Sequence, residues 1–150
     1  MTHDSDSYAA ATSAPSQVGG TDAGLSDEQV AFLNSLFDLA RNGDTRLLDV
    51  ISQGVPADLA DHKGDSFLIL AAYAGQGELV RGLIAAGADV NTQNQRGQSA
   101  LTCAVFRGDA DMVKDLMAVG ADPHAGAQNA VATAKAFGQE GLLALLEPQD

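Results

Sequence analysis

The chain of 150 residues has no Trp, one Cys, and eight Lys and Arg against 20 Asp and Glu. Each shortage excludes something. A lone thiol, Cys103, cannot close an intrachain disulfide, and a reducing cytoplasm is the simplest setting for such a chain. A net charge of −12 argues against nucleic acid, which draws most of its affinity from Lys and Arg on phosphates. It argues equally against an anionic membrane surface. It keeps the chain soluble and favours a basic patch on a partner, without bearing on fold. The longest apolar run, Phe67 to Ala74, is far too short to span a bilayer. The N-terminal stretch lacks Lys, Arg and an apolar core, so no secretory signal is expected there. Aromatic residues are only 5% of a chain that is 45% hydrophobic, so its apolar content is chiefly Ala, Leu and Val, which suits closely packed helices.

Residues 1–25 read as a disordered acidic tail. They hold Asp4, Asp6 and Asp22, no basic residue and few side chains worth burying, so ordering them would cost entropy with little return. The pattern changes at Ser26. Ser26-Asp27-Glu28-Gln29 is a capping box, with Ser26 and Gln29 each able to satisfy the other's backbone N–H. Val30, Leu33, Leu36, Phe37 and Ala40 then fall at helical spacing, and Gly43 stops the run. The spacing predicts a helix of about four turns.

A repeat emerges when the chain is aligned on its glycines. LARNG, AAYAG, AVFRG and AKAFG end at Gly43, Gly75, Gly108 and Gly138, spaced 32, 33 and 30 residues apart. Gly54, Gly87 and Gly120 form a second set spaced 33 and 33, and Gly64 and Gly97 a pair spaced 33. Each unit has the same logic. A short apolar helix is ended by a glycine that can turn left-handed, a second helix follows, and an extended turn leads back. Ser66, Ser99 and Asn129 stand where the next first helix begins, and each can cap it. One such unit cannot bury its own apolar face; stacked neighbours bury it.

Residues 61–93, DHKGDSFLILAAYAGQGELVRGLIAAGADVNTQ, and 94–126, NQRGQSALTCAVFRGDADMVKDLMAVGADPHAG, carry a resemblance. They are similar to the ankyrin repeat, with its period of 33 and its pattern D-x-x-G-x-T-P-L-x-x-A-A-x-x-G-x-x-E-V-V-x-L-L-x-x-G-A-D-V-N. The resemblance implies an all-α ankyrin-repeat α-solenoid of about four helix-turn-helix units joined by short hairpin-like connections. The expected domain is 26–147, in units of about 26–60, 61–93, 94–126 and 127–147. The outer two are degenerate, as capping repeats are. No unit has the family's T-P-L-H. Ser66-Phe67-Leu68-Ile69, Ser99-Ala100-Leu101-Thr102 and Asn129-Ala130-Val131-Ala132 stand there instead. Ser and Asn keep the cap while the Thr–His bonding is lost, so lower stability is expected.

Catalytic signatures are weak. Cys103 has no neighbouring His or cation in sequence to activate it and reads as a buried small residue. His3, His62 and His124 share no spacing with one another or with a Cys pair, so no metal is expected. Gly75-Gln76-Gly77 has Val80 where a dinucleotide fingerprint needs its third glycine. Asp109 and Asp111 are too few for a calcium loop and suit a helix start. No cofactor is expected.

The family binds through its hairpin tips and the exposed ends of its first helices, along the concave face. By position this implies a partner-binding set of His62, Lys63, Asp65, Gln95, Arg96 and Gln98 on the hairpins, with Tyr73, Phe106 and Arg107 on the helices. Tyr73 and Phe106 occupy equivalent places just before a terminating glycine and face away from the stack, whereas Phe137 is expected to pack against the short final hairpin. The resulting expectation is a monomeric, non-catalytic adaptor or regulator of another protein. The chain looks like small stand-alone bacterial ankyrin proteins, some of which are associated with enzymes, so an enzyme is among the implied partners. Two other classes stay open: a small-ligand protein or enzyme using the groove, for which His62, Asp65 and Gln98 would have to converge on a cavity, and a self-assembling spacer.

Overall fold

A computed structural model describes residues 26–147; the acidic segment 1–25 lies outside the described residues. The described residues form eight helices: α1 Asp27–Asn42, α2 Arg46–Ser52, α3 Phe67–Tyr73, α4 Gly77–Ala85, α5 Ala100–Arg107, α6 Ala110–Ala118, α7 Ala130–Ala136 and α8 Glu140–Leu146. They make two layers. The first helices α1, α3, α5 and α7 pack in series, and the second helices α2, α4, α6 and α8 pack in series behind them. The protein is therefore an all-α repeat solenoid.

Local chemistry sets the helix starts. Both halves of the capping box at α1 form, at 3.1 Å from the Gln29 N–H to Ser26 Oγ and 2.8 Å from the Ser26 N–H to Gln29 Oε1. Ser66, Ser99 and Asn129 each accept the N–H three residues on, at 3.2, 3.3 and 2.7 Å. The missing Thr–His pair is partly replaced. Thr102, at the position of the family's His, donates to the carbonyl of Gln128 on the next hairpin at 2.8 Å.

The inner helices have no polar face. Every residue from Phe67 to Ala72 and from Ala100 to Val105 is buried, because each of these helices is flanked on both sides by first helices and backed by its own second helix. A helix apolar all round is stable only when enclosed in this way. The hairpins between units are narrow. Asp61 N–H donates to the Asp65 carbonyl at 3.0 Å and Asn94 N–H to that of Gln98 at 2.9 Å, with one antiparallel bridge, Ala60 to Ser66. Gly97, at φ +78°, needs to be glycine twice over: its conformation is left-handed, and a Cβ there would lie 2.6 Å from the backbone N of Ala127.

Successive units are stitched along the length of the stack. Gln95 N–H donates to the Lys63 carbonyl at 3.0 Å, and Gln128 N–H to that of Gly97 at 3.1 Å. At the far ends of the first helices, Gln76, Arg107 and Gln139 each reach back one unit. They donate to the carbonyls of Arg41, Tyr73 and Val105 at 3.2, 3.0 and 2.9 Å. Last-turn carbonyls have spare acceptor capacity, so each unit helps to cap the one before it; the Val105 carbonyl also accepts from the Gly108 N–H at 2.9 Å.

Candidate functional site

The hairpin tips and the ends of the first helices enclose a groove made of two adjoining hollows. The larger, of about 610 Å³, is lined by Arg41, Asp61, His62, Lys63, Asp65, Ile69, Leu70, Tyr73, Ala74, Asn94, Arg96, Gln98, Cys103 and Arg107. The smaller, of about 480 Å³, continues past Tyr73 and Arg96 to Thr102, Phe106, Gln128, Thr133 and Phe137. Seven of the nine expected contact residues line the larger hollow, Phe106 lines the smaller, and Gln95 lines neither.

Their bonding divides them. Tyr73 and Phe106 are 56% and 54% exposed, as their position before the glycine implied. Their rings lie nearly parallel, at a centroid distance of 6.3 Å and an angle of 12°. His62, Lys63 and Arg96 are exposed, and among the described residues their side chains make no hydrogen bond or ion pair within the protein. The others are occupied. Gln95 Nε2 donates to the His62 carbonyl at 2.8 Å. Gln98 Oε1 accepts from Asn94 at 3.0 Å, and its Nε2 donates to Gln128 at 3.3 Å. Arg107 spends one N–H on Tyr73.

Asp65 is 8% exposed, and its carboxylate accepts from Asn94 Nδ2 at 2.8 Å, which makes it part of the groove floor. The expectation for Phe137 is corrected. Phe137 does not fill a gap beneath the short last hairpin. It is 56% exposed, and its ring meets that of Phe106 edge-on at 5.6 Å, so it extends the aromatic row into a third unit. It stands one residue nearer its glycine than Phe106 does, and equivalence of position alone does not reveal that the ring swings back to the same row.

Asn94 is the residue that sequence reasoning passed over. Its Oδ1 accepts from the N–H groups of Arg96 and Gln98 at 2.9 and 3.0 Å, while its Nδ2 holds Asp65 and Gln98. The signal was present. Asp61, 33 residues earlier, closes its own hairpin in the same way, accepting from Lys63 and Asp65 at 2.9 and 3.0 Å. Only an amide at 94 adds a donor for the buried carboxylate beside it.

The residues from 36 to 127, more than half of the chain, match the family model for ankyrin repeats, in three copies. The chain belongs to the ankyrin-repeat family. A Pseudomonas aeruginosa protein named for its ankyrin repeats is 48% identical over 58 residues, which are 38% of this chain. The aligned stretch is 34% of that relative, so the chain spans about a third of the curated protein it matches. Ankyrin repeats are generally protein–protein interaction modules without catalysis of their own.

The thiol beneath the ankyrin groove suits that background. Cys103 lines both hollows but is buried, and burial, reinforced by the Asp65 carboxylate, pushes its pKa up to about 12. A thiol held protonated is a poor nucleophile and a poor metal ligand. Among the described residues no three His, Cys, Asp or Glu side chains gather as a metal site. No helix among them is long and apolar enough to cross a membrane.

Proposed function

We propose that the protein is a cytoplasmic, monomeric adaptor or regulator that holds a partner protein in this groove. The observation that carries the reading is the coincidence on one face of an exposed aromatic row, Tyr73–Phe106–Phe137, with cations that the fold does not use, Lys63 and Arg96. Aromatic rings and Arg are the groups that contribute most to interface energy, and rings left in water lose little by being covered. Affinity capture from cell lysate tests it, comparing wild type with a Tyr73→Ser, Arg96→Glu, Phe106→Ser variant of unchanged far-UV circular dichroism. A protein retained by wild type and lost by the variant is the expected result. One held equally by both would put the site elsewhere.

Small-ligand binding is the second reading, and one observation favours it: His62, Asp65 and Gln98 do line a common hollow. Against it, Asp65 and Gln98 direct their polar atoms at Asn94 and Gln128, which leaves His62 as the free group of the three. A thermal-shift screen against common metabolites distinguishes the two, because only a small-ligand site would give a saturable rise in Tm.

A further inference from the structure

The sign of the groove is opposite to that of the protein. Four of the eight basic residues, Arg41, Lys63, Arg96 and Arg107, line the larger hollow of a chain with a net charge of −12. Its two acids both lie inward: the side chain of Asp61 is 8% exposed, and Asp65 is buried. Asp61 is matched by Arg41 at 3.7 Å and by two backbone N–H groups, and Asp65 by Asn94. The charges of the hollow that reach water unmatched are therefore those of Lys63 and Arg96, with Arg107 beside them on a neutral carbonyl. The inner helices contribute no acid at all: α3, α5 and α7 contain neither Asp nor Glu. A basic partner, which the net charge alone would favour, meets the wrong sign at this face.

We infer that the groove receives an extended acidic segment of the partner protein, with its carboxylates on Lys63, Arg96 and Arg107 and an apolar or aromatic side chain laid on the row Tyr73–Phe106–Phe137. Both parts of the site are continuous, because Tyr73 and Arg96 line both hollows. At ~3.4 Å per residue an extended strand needs about four residues to follow ring steps of 6.3 and 5.6 Å. A motif of two acids around one apolar residue fits that span. The surrounding acids do not forbid it, since at 0.15 M salt charges more than about 8 Å away are largely screened. Contact-range pairs with Arg, which grips a carboxylate through two N–H groups, then decide the preference.

The inference rests on the reading of the groove as a protein-binding site, and the test separates the two. A phage library of random peptides about 12 residues long is selected on the full chain at 0.15 M salt. Winning peptides are synthesised, labelled, and titrated by fluorescence anisotropy against wild type and two variants. Lys63→Glu with Arg96→Glu removes the free cations without touching a bond of the fold, and Tyr73→Ser with Phe106→Ser removes the rings. Melting temperatures check that both variants remain folded. The expected winners carry two or more Asp or Glu around an apolar residue, and each variant weakens them by about tenfold or more. Basic or uncharged winners that are lost on the ring variant and kept on the charge variant overturn the acidic partner and leave the groove standing. Winners that bind all three proteins alike, or no winners, overturn the groove as well.

Discussion

Each connection between units has two halves, and they hold the stack by different means. In the leading half, Gly87 and Gly120 have open space around them, and side chains bridge the units. Asp89 N–H donates to the Asp58 side chain at 2.7 Å, and Asp122 N–H to that of Asn91 at 2.7 Å; within one unit, Asn91 N–H donates to Asp89 at 2.9 Å. In the trailing half, Gly64 and Gly97 lie against the backbone of the next hairpin, so main chain meets main chain. The difference has a functional consequence. Side chains in the leading half are spent on backbone N–H groups, those of Asp58 and Asn91 in the next unit and those of Asp89 and Asp122 within their own. Close backbone contact and a buried Asn94 hub do that work in the trailing half, and this frees Lys63 and Arg96 to face the groove.

The comparison breaks most visibly at Asn94. Asn94→Ala opens the hairpin and leaves the Asp65 carboxylate buried without its amide donor, so chemical denaturation is expected to register a loss of about 2–4 kcal/mol. Two residues on, Arg96→Ala is expected to stay within about 0.5 kcal/mol of wild type, as exposed residues without partners do.

Glycine substitution separates the halves next. Gly97→Ala meets both a left-handed φ and the Ala127 backbone, whereas Gly120→Ala, at φ +93°, meets the conformational strain alone. The expected costs are about 2–3 and about 1 kcal/mol respectively. Equal effects in urea unfolding would mean that the hairpins do not touch as described.

Asn91→Ala cuts the leading-half bridge, both where it accepts from Asp122 and where its Nδ2 donates to the Gly120 carbonyl at 3.2 Å. These bonds are solvent-accessible, so the loss is expected near 1 kcal/mol, read as a small drop in Tm.

The smallest effect lies away from both halves. The Arg46 side chain, then its backbone N–H, hydrogen-bonds Asp44 and lowers its pKa from 3.8 to about 2. A carboxylate held below its ordinary value contributes stability above pH ~4 that is lost as pH falls towards 2. In Arg46→Ala, carboxyl titration by NMR should show Asp44 returning towards 3.8. The groove residues should not respond.

Much of this architecture was legible in the order of residues alone. The glycine period, the caps at Ser26, Ser66, Ser99 and Asn129, and the apolar runs of the first helices are local signals, because a cap or a left-handed turn is decided within four residues. These imply stacking, since the apolar faces they create have no other cover. Position within the repeat also identified Tyr73 and Phe106 as outward-facing. What only the tertiary structure decided depends on neighbours one unit away. Asp65 and Lys63 both sit on the same hairpin, yet one turns in to meet Asn94 and the other out to water. Phe137 looked like filler until its ring was seen against Phe106. The total charge gave one sign and the groove another, because a sum over residues carries no information about which carboxylates are matched. Burial and pairing across units, not composition, set what a partner meets.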